Sequence, residues 1–130
     1  MNYNIQKDSQ TVSKGIQTVK YYVESSESSD KSFRALIRAS DVCGMRSITC
    51  KWAGDFPGAD IDLSQREDGS WIVLYTMDNS WGELTRGNKT PGQWISEGIL
   101  WTEGLASYLL ANTDAVFSGT LGKEEERQGQ

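Results

Sequence analysis

Apolar and polar residues alternate through much of the first two-thirds of the chain, which is the period of a strand with one buried face. This alternation runs through residues 15–24, 32–39, 47–52 and 59–64. The stretch 71–77 is apolar at nearly every position and predicts a central strand covered on both faces. With a short strand over 81–86, we expect a sheet of five or six strands.

Turn-forming residues separate these runs. Asp68-Gly69 lies between two of them and predicts a tight hairpin in which both central residues have positive φ. Residues 41–44 predict another turn, and the polar stretch 24–31 predicts a loop. Because short turns join consecutive runs, the strands should form an antiparallel meander.

A capping signature marks the start of a helix near residue 90. Thr90 can accept a hydrogen bond from the backbone N–H of Gln93, and Pro91 stands where its missing N–H is not needed. The helical pattern continues to about Ala111. The predicted fold class is therefore α+β: an antiparallel meander sheet of five or six strands packed against one long C-terminal helix.

A chain of 130 residues supports one compact domain, and we place this α+β domain at 1–121. Within it, residues 115–117 are predicted to add a last short strand. The charged stretch 122–130 predicts a disordered tail. The sequence contains no internal repeat and no second domain boundary.

One stripe of the predicted helix is rich in aromatic residues. Its members recur at helical spacing and are Trp94, Gly98, Trp101, Leu105 and Tyr108. Aromatic side chains beside a glycine gap could line a ligand pocket between helix and sheet, but core packing explains them about equally well. Apolar residues outside the stripe also leave a second side of the helix to cover, so a homodimer through the helix is an alternative.

Composition excludes several kinds of site. The chain has no histidine, which rules out histidine-dependent triads and the commonest zinc ligand. Its net charge of −5 opposes binding to phosphate backbones, so nucleic acid is not the expected partner. No apolar run is long enough to cross a membrane. Cys43 and Cys50 do not form a paired motif, and we expect reduced thiols in a cytoplasmic protein.

Motifs for catalysis, cofactor binding or metal binding are missing from the sequence. Asp60 and Asp62, two positions apart on a strand, have the spacing of a magnesium or calcium pair, but no further carboxylate pattern completes such a site. A pair of acidic residues at glycosidase separation is not excluded by sequence. We nevertheless predict that the protein is not an enzyme and that it needs no metal or cofactor.

The acidic residues are concentrated in the middle of the chain. Residues 54–83 contain seven acidic residues and one basic residue, whereas 1–53 contain eight basic residues and five acidic ones. An acidic surface with exposed aromatic rings is suited to docking on a basic protein. The candidate partner-binding residues are Asp55, Phe56, Asp60, Asp62, Glu67, Asp68 and Trp81.

Together these features predict a non-catalytic protein-binding module, a small acidic inhibitor or immunity-type protein that docks on a basic partner surface. Its size, charge and expected layout resemble those of compact bacterial immunity proteins and phage-encoded inhibitors of host defence. No motif names a particular family, so no functional residue is carried over. The alternative is a protein that binds a nucleotide or metabolite in the aromatic pocket formed by Trp94, Gly98, Trp101 and Tyr108.

Overall fold

A computed structural model of the chain describes residues 3–25, 34–53, 59–76 and 91–122. The side chains described are those of residues 4–24, 34–52, 59–76, 96 and 98–122. The predicted strand at 81–86 lies outside these ranges. Most of the predicted tail also does, and only its first residue, Gly122, is described.

The described part contains a six-stranded antiparallel sheet in which every strand lies beside its neighbours in sequence. The strands are β1 (Tyr3–Ser13), β2 (Ile16–Ser25), β3 (Arg34–Val42), β4 (Met45–Ala53), β5 (Asp60–Gln65) and β6 (Trp71–Thr76). The predicted meander is confirmed, and the α+β class with it. The alternation in β3 is typical: Ala35, Ile37 and Ala39 are buried, while the residues between them are exposed.

Strand β1 was not predicted from the sequence. It is almost entirely polar, and among its described side chains only Ile5 is buried. Its backbone pairs with β2 along most of its length, from Asn4 opposite Glu24 to Ser13 opposite Ile16. Cross-strand hydrogen bonds rather than a hydrophobic pattern therefore define this strand.

Two of the hairpin turns have both central residues in the left-handed region. They are Lys14-Gly15, with φ of 53° and 79°, and Cys43-Gly44, with φ of 54° and 86°. The predicted hairpin at Asp68-Gly69 is present, but only Gly69 has positive φ. The Gly69 N–H donates to the Arg66 carbonyl at 2.9 Å, so an ordinary turn precedes the glycine and the prediction for Asp68 was wrong.

Two helices follow the sheet, not one. They are α1 (Pro91–Ala111), which starts and ends where the sequence predicts, and α2 (Thr113–Ser118). Residues 115–117 were predicted to be a strand and are helical instead. Helix α2 ends at Gly119, whose φ of 83° is the left-handed conformation common after a helix.

The core lies between the sheet and the two helices. Residues from β2 to β5 contribute one side of it, and Trp101, Leu105 and Leu109 of α1 contribute much of the other. Helix α2 adds Ala115, Val116 and Phe117, all buried. The apolar run that resembled a strand thus packs on the sheet as a helical turn, because a short apolar run alone does not distinguish a strand from a buried helix.

Strand β6 is placed differently from the prediction. It is the last strand of the described sheet, and Ile72–Thr76 are all exposed. Leu74 is 58% exposed and Ile72 is 45% exposed. The prediction that this strand is central and covered on both faces was therefore wrong. None of the helices described is long and apolar enough to span a membrane.

Candidate binding face

The helices cover one face of the sheet, and the opposite face, here called the open face, carries the candidate site. Strand register aligns one row of open-face residues across five strands: Lys20, Arg38, Thr49, Asp62 and Leu74. The row runs from basic residues through a hydroxyl to a carboxylate and an exposed leucine. The open face is therefore polarised in charge along a single line across the sheet.

The candidate residues Asp60 and Asp62 both belong to the open face. Asp62 is exposed and lies opposite Leu74 of β6, while Asp60 is half-buried and lies opposite Thr76. No Lys or Arg nitrogen of the described chain lies within 4 Å of either carboxylate. Both carboxylates are thus available to a partner on the side of the sheet that the helices leave open.

Glu67 and Asp68 lie in the turn between β5 and β6, at the other end of β5 from Asp60. The Ser70 hydroxyl and backbone N–H both donate to Asp68 Oδ1, at 2.6 and 2.9 Å. These hydrogen bonds, the hydroxyl first, lower the pKa of Asp68 below its ordinary value and keep the carboxylate charged.

The acidic residues do not converge on one point. Strand β5 separates Asp60 from the turn by about 20 Å, since a strand rises about 3.4 Å per residue. Within the described ranges, no group of three metal-ligating side chains could hold an ion. The arrangement is a charged margin along β5 and its turn rather than a chelating site.

The basic and acidic segments of the sequence lie in different parts of the folded sheet. In β1 to β4 and the described turns between them there are seven basic side chains and three acidic ones. In β5, β6 and their turn there are four acidic side chains and only Arg66 as a basic one. Because the strands follow one another across the sheet, the sequence halves become spatial halves.

Of the other candidate residues, some lie outside the described set and others belong to the core or pack against it. Asp55, Phe56 and Trp81 lie outside the described residues. Trp94 lies in α1, but its side chain also lies outside the described set. Trp101 is only 7% exposed and belongs to the core, and Tyr108 packs against the core half-buried.

The predicted aromatic pocket between helix and sheet stays a prediction. Gly98 is buried, and its carbonyl accepts a hydrogen bond from the Thr102 hydroxyl at 2.7 Å. That hydroxyl also accepts from the backbone N–H of Ala59 at 3.1 Å, which ties α1 to the start of β5. The cavity described beside them is small, about 260 Å³, and Tyr75 and Ile99 also line it.

The neighbouring thiol is an inert part of the core. Cys50 is buried in β4, and burial first, then the charge of Asp60, raises its pKa far above the ordinary value. Cys43 is exposed at the tip of a turn, and both cysteines are free.

Sequence reasoning missed the exposed apolar part of the site. Tyr22 and Leu36 lie directly opposite each other on β2 and β3 and are 49% and 39% exposed. Ile72 and Leu74 are exposed on the same face at β6. For Tyr22 and Leu36 a signal was present in the alternation, which places both residues on the polar side of their strands.

Comparisons of the chain with protein-family models, with curated proteins and with solved structures found no match in any of the three. A function for this chain therefore has to be inferred from the geometry of the open face.

Proposed function

We propose that this chain is a non-catalytic protein-binding module, a small acidic inhibitor or immunity-type protein that docks on a basic partner surface. The docking surface would be the acidic margin, defined as Asp60, Asp62, Glu67 and Asp68 together with the exposed Ile72 and Leu74. One observation carries the proposal: Asp60 and Asp62, which have no ion pair among the described residues, lie side by side with exposed apolar side chains on β5 and β6.

This combination has the two components that protein recognition uses. Carboxylates along one margin accelerate encounter with a positively charged surface and orient it. Exposed apolar side chains then supply the buried contact area that slows dissociation. Leu74 lies directly opposite Asp62, so both components would meet the same part of a partner.

The class of partner follows from the sign of the charge. A basic protein surface complements the acidic margin, and enzymes that act on nucleic acids have such surfaces because they are shaped to hold phosphates. A small acidic protein that covers this kind of surface would compete with the substrate. The inhibitor or immunity role rests on this analogy.

The test begins with the full chain as bait in an extract of its source cells, followed by identification and purification of the captured protein. Association and dissociation rates are then measured at several salt concentrations for wild type, the Asp60→Lys/Asp62→Lys variant, and a control. The control is Asp8→Lys/Asp114→Lys, which changes two exposed carboxylates outside the margin by the same net charge.

We expect the margin variant to associate about tenfold or more slowly and with a flatter salt dependence, since electrostatic steering acts mainly on the association rate. The control should retain most of the wild-type rate. Changing Ile72 and Leu74 to serine should instead accelerate dissociation. Equal association rates for the margin variant and the control would overturn the proposal.

A further inference from the structure

Three basic residues form a compact cluster on the open face, on β2 to β4, next to the acidic margin. Lys20 and Arg38 lie directly opposite each other on β2 and β3. Lys51 lies on β4 opposite Leu36, two positions along the strands from Arg38. No carboxylate among the described side chains lies within 4 Å of their nitrogen atoms.

A cluster of like charges such as this one is unfavourable by itself. Like charges directly opposite on neighbouring strands destabilise a sheet, because their Cβ atoms are only about 5 Å apart. Lys20 is half-buried, which weakens the screening of its charge by water. A bound anion would relieve this repulsion and accept hydrogen bonds from all three side chains.

The cluster lines a groove. The groove has a volume of about 650 Å³, and Leu36, Thr49, Asp60, Asp62 and Thr76 also contribute to its lining. The Thr49 hydroxyl lies opposite Arg38 and offers a further donor to an anion held there. The polar donors therefore converge from three adjacent strands.

A second groove of about 420 Å³ adjoins the first and has different chemistry. Leu36 lines both grooves, and Tyr22, directly opposite it, lines the second. An exposed phenol ring beside a leucine is a surface on which a planar group can stack. Asn4 and Gln6 offer amide groups at the same place, and Arg34 pairs with Glu24 at 3.5 Å.

The two grooves are adjacent along the strands. Tyr22 and Leu36 occupy the residue pair two positions from Lys20 and Arg38, which places the stacking surface about 7 Å from the cations. A ligand with a planar ring at one end and a phosphate at the other would contact both. Each groove alone has the volume of an ordinary small-ligand site.

The carboxylates of Asp60 and Asp62, on the β5 side of the groove, disfavour a ligand with many negative charges. Asp60 and Asp62 line the same groove as the cations, so a long polyanion laid across the sheet would meet two negative charges. A single phosphate group held between β2 and β4 avoids them. The pattern favours a small ligand over a nucleic-acid strand.

We propose that the open face binds a small phosphorylated ligand with a planar ring, of the mononucleotide class. Its phosphate contacts Lys20, Arg38 and Lys51, and its ring stacks on Tyr22 and Leu36. The groove shares Asp60 and Asp62 with the acidic margin, but the contacts proposed for the ligand are with residues of β2 to β4, so this proposal does not rest on the docking function.

The experiment is a calorimetric titration of the full chain at low salt with three probes: adenosine monophosphate, adenosine and inorganic phosphate. We expect the nucleotide to bind more tightly than either fragment, since only the nucleotide reaches both grooves. Lys20→Gln/Arg38→Gln should weaken nucleotide binding about tenfold or more, through loss of charge-assisted hydrogen bonds. Tyr22→Ser should weaken the nucleotide and leave phosphate binding unchanged.

The matched control is Lys7→Gln/Arg66→Gln, which removes two exposed cations outside both grooves and should bind like wild type. Thermal unfolding checks the fold, and Lys20→Gln/Arg38→Gln should unfold at the same temperature as wild type or higher, because a repulsion is removed. No nucleotide binding by wild type, or equal binding by the cluster and control variants, would overturn the proposal. Tighter binding of a single-stranded oligonucleotide than of the mononucleotide would also contradict it.

The nucleotide titration and the docking experiment can fail independently, and one variant distinguishes their outcomes. Asp60→Lys/Asp62→Lys reverses two of the four charges of the acidic margin and adds cations to the groove, so it should slow docking on a basic partner while nucleotide binding is retained or strengthened. Docking that is not slowed would count against the docking function alone, and loss of nucleotide binding would count against the ligand site alone.

Discussion

The hydroxyl of Tyr21 donates a hydrogen bond to the carbonyl oxygen of Val116 at 2.6 Å. These residues are separated by most of the chain, and both are fully buried. The carbonyl of Ala115 lies 3.2 Å from the same hydroxyl. One phenol on β2 therefore satisfies the backbone of α2 against the centre of the sheet, where water cannot replace it.

Tyr21→Phe should lower the free energy of unfolding by about 1–3 kcal/mol, because it leaves a buried carbonyl without its donor while hardly changing the packing. Urea denaturation followed by tryptophan fluorescence measures this loss. Tyr22→Phe is the matched control, since that ring is exposed on the open face, and it should change the stability by less than about 0.5 kcal/mol. Equal effects of the two variants would show that the Tyr21 hydrogen bond contributes nothing to stability.

The same phenol makes the free energy of unfolding depend on pH in the alkaline range. Burial raises the pKa of Tyr21 from 10.0 to about 12 in the folded protein. Its contribution is complete below pH 10, and it is lost between pH 10 and 12 because the unfolded chain releases the proton first. The difference in unfolding free energy between wild type and Tyr21→Phe should therefore narrow over this range. A difference that stays constant from pH 9 to 12 would contradict the assignment.

Gly122 should tolerate no side chain. Its φ is +89°, and a Cβ placed there would lie 2.5 Å from the carbonyl oxygen of Ile5 on β1. We expect Gly122→Ala to be destabilising by more than the roughly 1–2 kcal/mol of left-handed strain alone, because the backbone of β1 must also move. Gly69→Ala shares the strain but has nothing within 4 Å of the added carbon, so it isolates that part of the effect. Similar losses in both variants, measured by chemical denaturation, would show that the contact with β1 is unimportant.

Most of the architecture could be predicted from local patterns. Alternation located four of the six described strands, an apolar run located a fifth, and the Asp68-Gly69 turn located the last hairpin. Thr90 and Pro91 located the start of α1, which begins at Pro91. These features are encoded locally, because side-chain period and turn chemistry depend on residues that are close together in sequence.

Three features could not be predicted in this way. The polar strand β1 exists because β2 offers it a row of backbone hydrogen-bonding groups. Residues 115–117 are helical because that turn packs on the sheet and accepts the hydrogen bond of Tyr21. The exposure of Leu74 depends on which face of the sheet the helices cover. Each of these outcomes is set by a neighbour that lies far away in sequence.

The candidate site shows the same division. The concentration of acidic residues around Asp60 and Asp62, and of basic residues before them, is a property of the sequence alone. Only the tertiary structure put Lys20 opposite Arg38, placed Asp62 in the same row, and turned all three away from the helices. The physical reason is that composition fixes how much charge a segment carries, whereas strand pairing over long sequence distances fixes which charges share a face.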